Sequence, residues 1–101
     1  MSKAQTLSPL LEQCDLAART IKLLAHPQRL MILCYLSEGS KSVGELQRLC
    51  GCSQSLISQF LARMKSEDLV THYREGKFVR YEIRNRQILQ LIRALHKIFC
   101  P

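Results

Sequence analysis

Five cysteines stand in the 101-residue chain: Cys14, Cys34, Cys50, Cys52 and Cys100. Thiols chelate metals, undergo oxidation, or pack as small apolar groups. An odd count argues against a full framework of structural disulfides. There is no Cys-x-x-Cys, and no cysteine has a general-base partner near it in sequence, which is what a small thiol-redox protein acting without DNA would need. Cys50-Gly51-Cys52 is a Cys-x-Cys, read here as two small residues that pack around a turn. A second group of residues suits a different chemistry. The run Gln54-Ser55-Leu56-Ile57-Ser58-Gln59 carries uncharged hydrogen-bonding side chains where a solvated helix face would normally be charged. Gln pairs with adenine edges and Ser with several bases, so this face suits the DNA major groove.

The elements that would carry these residues follow from periodicity. Apolar residues fall at Leu7, Leu10, Leu11, Cys14, Ala17, Ala18, Ile21 and Leu24, a helical stripe that His26-Pro27 interrupts. The polar residues 1–6 are expected to be loosely ordered. A second helix is expected from Pro27 to Leu36, ended by Glu38-Gly39-Ser40. Ser42 and Glu45 form a capping box for a short third helix, Val43 to Cys50. Gly51 supplies a left-handed turn residue, and Ser53 caps a fourth helix running to about Lys65. Two short helices joined by a Gly-containing turn are a helix-turn-helix, with Leu46, Leu49, Cys52, Ile57 and Leu61 facing inward.

Val70 to Arg74 is rich in β-formers, and Phe78 to Ile83 alternates, with Val79, Tyr81 and Ile83 on one face. Glu75-Gly76-Lys77 between them reads as a hairpin turn. Asn85 caps a last helix, Arg86 to Phe99, striped by Ile88, Leu91, Ile92, Leu95 and Phe99 with Leu89 and Ile98 beside it. The fold expected is a mainly α winged helix-turn-helix: four helices, a two-stranded hairpin wing and a fifth helix, as one domain over residues 1–101. The first and last helices carry more apolar surface than a three-helix core needs, which makes them the expected homodimer surfaces.

The net charge is +7, and nine of the fifteen Lys and Arg lie in residues 63–101. A basic balance on a small domain points to phosphates, of nucleic acid or of an anionic membrane surface. No apolar run reaches the roughly 18 residues needed to span a bilayer, and Met1-Ser2-Lys3-Ala4-Gln5 lacks the order of a signal peptide. The expectation is a cytoplasmic protein with reduced thiols, no membrane partner and no cofactor. A core this small scarcely encloses a catalytic pocket, so no enzyme is expected.

Three segments, in order and at matching spacing, resemble the ArsR/SmtB family of bacterial winged-helix repressors. They are Leu23-Leu24-Ala25-His26-Pro27-Gln28-Arg29-Leu30-Met31-Ile32-Leu33, then Val43-Gly44-Glu45-Leu46, then Ser53 to Met64 around Ser58-Gln59-Phe60-Leu61. The resemblance covers roughly residues 16–100. Phe60 stands where the family commonly has His. Membership implies a homodimer that binds a palindromic double-stranded operator and is released by a small-molecule, metal or redox signal. It places Ser53, Gln54, Ser55, Ser58 and Gln59 in the major groove. Arg63 and Lys65, the wing residues Arg74, Lys77 and Arg80, and Lys41 before the third helix would hold phosphates, which fix position and affinity rather than sequence preference.

The resemblance also bears on the signal. One family metal set is a Cys-x-Cys in the third helix, but this chain has Glu45-Leu46-Gln47-Arg48 there. The other uses Asp and His on the last helix, and residues 86–99 contain no Asp or Glu and only His96. In the reactive-sulfur- and redox-sensing branch a cysteine pair occupies the positions of Cys34 and Cys100, and the Phe99-Cys100-Pro101 ending is kept. The implied signal is a reactive sulfur species or oxidant that bridges Cys34 and Cys100. The alternative is a zinc-type site of Cys34, His96 and Cys100, the last two being four residues apart.

Overall fold

The computed structural model describes residues 9–100. Leu7 and the polar residues 1–6 lie outside the described residues, as does Pro101. Five helices and three strands follow in the order α1 (Pro9–Leu24), α2 (Pro27–Leu36), β1 (Lys41–Ser42), α3 (Val43–Cys50), α4 (Gln54–Ser66), β2 (Val70–Glu75), β3 (Phe78–Ile83) and α5 (Arg86–Phe99). Each helix of the domain body starts at a side-chain cap. His26 Nδ1 accepts the Gln28 N–H at 3.3 Å, with Pro27 opening α2. In the capping box of α3, Ser42 Oγ accepts from Glu45 N at 3.2 Å and Glu45 Oε1 accepts from Ser42 N at 2.9 Å. Ser53 Oγ accepts from Leu56 N at 3.1 Å, and Asn85 Oδ1 from Ile88 N at 2.7 Å. Each bond satisfies a backbone donor that the first helical turn leaves orphaned.

One core unites these elements. Leu24 of α1, Ile32, Leu33 and Leu36 of α2, Leu46 of α3, Ile57, Leu61 and Met64 of α4, Val70 of β2, and Ile88 and Ile92 of α5 are all buried in it, with Leu69. Tyr81 and Ile83 pack on it from β3. Leu49 departs from expectation and is 44% exposed. The next residue, Cys50, takes the core-facing place instead, because it lies one helical turn beyond Leu46. The chain enters α4 through Gly51, whose φ of +68° is the left-handed conformation glycine adopts without a Cβ penalty. Its N–H closes α3 on the Gln47 carbonyl at 3.0 Å.

β2 and β3 form an antiparallel hairpin in the register Val70↔Ile83 to Glu75↔Phe78, leaving a two-residue loop, Gly76-Lys77. Gly76, with φ +61°, takes the first loop position. The short β1 adds a third strand in the order β1-β3-β2, pairing Lys41 with Tyr81 and Ser42 with Arg80. The wing is therefore tied by its backbone to the N-cap of α3.

α1 joins the core only at its end, through Leu23 and Leu24. Its apolar residues Leu10, Leu11, Leu16 and Ile21 are exposed, as are Ile98 and Phe99 at the end of α5. The radius of gyration is 15.8 Å, above the ~13 Å of a compact chain of about 100 residues.

Candidate nucleic-acid interface and thiol pair

The sequence of α4 divides the helix into two faces. Ile57, Leu61 and Met64 are buried, which turns Gln54, Ser55, Ser58 and Gln59 outward into solvent. Ser53 sits at the start of the same face, but its oxygen is committed to the cap. Arg63 and Lys65 are exposed further along the helix. Arg63 Nε stands 3.8 Å from Glu67 Oε2, a carboxylate whose other oxygen is held by Arg29 at 2.9 Å. Lys65 Nζ lies 3.4 Å from His72 Nε2. On the wing, Arg74 and Lys77 are exposed and make no ion pair with a described residue. Uncharged hydrogen-bonders in the middle and cations at both sides form a surface that can read base edges while holding the flanking phosphates.

Two of the expected phosphate contacts point elsewhere. The Arg80 side chain is 23% exposed, and all its nitrogens are engaged inside the molecule. Nη1 lies 3.2 Å from Glu45 Oε1, Nε donates to Ser40 Oγ at 3.1 Å, and Nη2 donates to the Ser40 carbonyl at 2.6 Å. Lys41, with a side chain 16% exposed, lies 3.7 Å from Glu38. Both are drawn in by carboxylates that the sequence separates from them or that lie across a turn. Phe60 is half-buried, its ring 5.3 Å from that of His26; it packs the start of α2 against α4.

The Glu45 carboxyl is held below the usual range for glutamate. The Ser42 backbone N–H bonded to it is the main cause, opposed by partial desolvation and assisted by the Arg80 charge.

Cys34 and Cys100 come from two helices, α2 and α5, that an Arg93–Ser37 bond joins near their C-terminal ends. Cys34 is half-buried on α2 and packs against the core. Cys100 is exposed just past α5, its N–H bonded to the His96 carbonyl at 2.7 Å. Arg93 of α5 donates to the carbonyl of Ser37, three residues beyond Cys34, at 3.2 Å. Ser37, Glu38, Arg93, His96, Lys97 and Cys100 line one cleft between the helices. Burial pushes the Cys34 thiol up, and negative charge on Cys100 and Glu38 pushes it further.

Cys50 and Cys52 are both half-buried against the core, as expected of packing residues. Burial raises the Cys50 thiol, and Cys52 adds to the effect. Cys14 is exposed on α1 rather than packed within this chain. Among the described residues no three His, Cys, Asp or Glu side chains group as a metal site would require, which includes Cys34, His96 and Cys100. Cys100 is the C-cap of α5: its N–H still closes on the His96 carbonyl, while its own backbone turns away from the helix at φ −125° and ψ 77°. Among the described residues no helix is long and apolar enough to cross a membrane.

Residues 26–72 match the family described as bacterial regulatory protein, arsR family. The chain is 40% identical over 96 residues to the HTH-type transcriptional regulator YgaV of Escherichia coli (strain K12), spanning 94% of this chain and 97% of that protein. It is 40% identical over 83 residues to the biofilm growth-associated repressor of Xylella fastidiosa (strain Temecula1 / ATCC 700964), spanning 82% of this chain and 73% of that one. Its fold superposes on the crystal structure of the transcriptional regulator HlyU from Vibrio vulnificus CMCP6 with a TM-score of 0.88 at 34% identity, covering 93% of this chain and 98% of that chain. With a helix-turn-helix of matching sequence and a hairpin wing, the chain belongs to the ArsR family of winged helix-turn-helix, DNA-binding transcriptional regulators.

Proposed function

We propose that this regulator represses transcription as a homodimer on a palindromic operator and is released when Cys34 and Cys100 become covalently bridged. The observation that supports the proposal is the 3.2 Å bond from Arg93 of α5 to the Ser37 carbonyl, three residues beyond Cys34, with Cys34 half-buried on α2 and Cys100 exposed where α5 ends. In this reading residues 1–101 form one DNA-binding domain acting in the cytoplasm, and α1 and α5 are its dimerisation helices. Gln54, Ser55, Ser58 and Gln59 read base edges, with Ser53 at the start of the helix. Arg63, Lys65, Arg74 and Lys77 hold phosphates, whereas Lys41 and Arg80 act through the ion pairs they make within the protein.

The chemistry divides between the two thiols by exposure. Cys100 meets the reagent first. Its thiolate attacks the outer sulfur of a small-molecule persulfide, RS–SH, releasing RSH and leaving a persulfide on Cys100. The Cys34 thiolate then attacks the cysteine sulfur of that persulfide. A disulfide forms and hydrosulfide leaves, so two thiols are oxidised and one sulfane sulfur is reduced to sulfide. A peroxide reaches the same disulfide through a sulfenic acid, with water as the final leaving group. A disulfide needs Cα atoms about 4.4–6.8 Å apart, and a bridge of additional sulfurs spans more. Bridging draws the end of α5 against α2. Because α5 also carries the exposed Ile98 and Phe99, the movement is passed to the dimer surface and to the spacing of the two recognition helices, which must match half-sites about one helical turn apart.

The test is operator binding before and after a persulfide donor, for wild type, Cys34→Ser and Cys100→Ser. Wild type is expected to lose about 5–150-fold in affinity, the range of ordinary allosteric coupling, and either substitution to abolish the loss. Release of both variants by the donor, or release of wild type by zinc but not by the donor, would overturn the proposal.

A further inference from the structure

The hairpin wing and α3 are joined by more than backbone pairing. Arg80 of β3 lies opposite Ser42, the residue that caps α3. Its guanidinium reaches Glu45 Oε1 at 3.2 Å, and that same oxygen closes the capping box on Ser42 N at 2.9 Å. Two further bonds hold Ser40, to Oγ at 3.1 Å and to the carbonyl at 2.6 Å. From the neighbouring strand, the Tyr73 hydroxyl meets Ser40 Oγ at 3.0 Å, and Tyr73 is the cross-strand partner of Arg80. Glu75, nearer the tip, stands 3.7 Å from Arg80 Nε.

We infer that Arg80 is a positioning residue for operator binding: with Glu45 and Ser40 it locks the wing to the N-terminus of α3 and so sets the angle between the wing and α4. The physical argument is one of stiffness. A two-stranded hairpin alone is marginal in water and twists freely about its base. β1 contributes only two residues of pairing. A planar guanidinium held at three nitrogens resists rotation in a way that a single hydrogen bond or a lysine does not. Glu45 remains charged to receive it because the Ser42 N–H holds the carboxyl low. Arg74 and Lys77, exposed and without ion pairs to described residues, are then left as the cations this framework presents.

The inference rests on the reading that the wing lies against DNA, and the experiment separates the two. Operator affinity, its salt dependence, a hydroxyl-radical footprint and the melting temperature are measured for Arg80→Gln, Arg80→Lys, Glu45→Gln, the Arg80→Gln/Glu45→Gln pair, and Arg74→Ala/Lys77→Ala. Glu45→Gln keeps the capping box, since Gln also accepts at that position, and removes only the charge that Arg80 meets. Each strut variant is expected to lose affinity roughly three- to thirty-fold, and the double variant no more than the weaker-binding single, as coupled neighbours do. Protection should fade where the wing lies and persist where α4 lies, and any fall in the salt slope, from loosened Arg74 and Lys77 contacts, should be the same in Arg80→Gln as in Glu45→Gln. Lysine should fail to rescue, because its point charge cannot hold both Glu45 and Ser40. A salt slope reduced by about one in Arg80→Gln but unchanged in Glu45→Gln would make Arg80 a direct phosphate contact and overturn the inference. Wild-type affinity in the strut variants would overturn it as well. Wild-type affinity in Arg74→Ala/Lys77→Ala would refute the placement of the wing on DNA, and the inference with it.

Discussion

Replacing Ile21 by alanine should weaken the proposed homodimer without unfolding the chain. Ile21 lies on the outward face of α1 and is 56% exposed, on a helix that touches the core only through Leu23 and Leu24. Fully burying an isoleucine side chain stabilises by about 1.5–3 kcal/mol, so covering the exposed half contributes roughly 1–1.5 kcal/mol per copy. A two-fold dimer contains the contact twice. The total is about 2–3 kcal/mol, or roughly thirty- to a hundred-and-fifty-fold in the dimer dissociation constant. Sedimentation equilibrium across a concentration series reads this directly, and thermal melting of the monomeric fraction checks the fold. Operator binding should become steeper in protein concentration, because dimerisation is then coupled to it. The reasoning is refuted if wild type sediments as a monomer at tens of micromolar, or if Ile21→Ala self-associates as tightly as wild type.

Three more outcomes follow from particular residues. Glu45 has a lowered pKa, so its charged form is favoured in the native state; the stabilisation is present above the ordinary glutamate range and is lost as pH falls through the lowered value. Glu45→Gln should therefore flatten the acid limb of a stability–pH profile, and an unchanged limb would contradict this. The Cys34 thiol is raised by burial first and by charge on Cys100 second. In Cys100→Ser its alkylation, followed site by site with iodoacetamide and mass spectrometry, should rise at lower pH than in wild type; an identical midpoint would remove the electrostatic link between the two cysteines. Gly51→Ala places a Cβ that meets nothing within 4 Å, at a φ of +68°. Its cost is thus confined to left-handed backbone strain of about 1–2 kcal/mol, visible as a lowered melting temperature. No loss of stability would mean that the turn relaxes out of the left-handed region.

The features that were legible in the amino-acid sequence are those whose partners lie within a few residues. Ser42 with Glu45, Ser53, Asn85 and Gly51 mark helix ends because capping bonds span three or four positions. The alternation of Phe78 to Ile83 and the Gly76-Lys77 loop announce a hairpin for the same reason. The recognition face of α4 follows from which residues its apolar stripe must bury. β1 leaves no trace in the sequence because two residues carry no periodicity, and a stripe of period three to four does not distinguish Leu49, which is exposed, from Cys50, which faces the core.

What tertiary structure alone decided is where the long-range partners lie. Arg80 and Lys41 resemble Arg74 and Lys77 as residue types, yet Arg80 meets Glu45, which the chain places 35 positions earlier, and Lys41 turns back on Glu38. A free cation and a committed one differ only in what the fold brings beside them. For Cys34 and Cys100, which the family resemblance paired, the fold supplies a bond between their helices, from Arg93 to the Ser37 carbonyl. Local bonds are encoded in short spacings, whereas contacts between distant segments depend on how the helices and the sheet close around one core. The residues proposed to sense, to dimerise and to set the wing are therefore the ones for which sequence type was an incomplete guide.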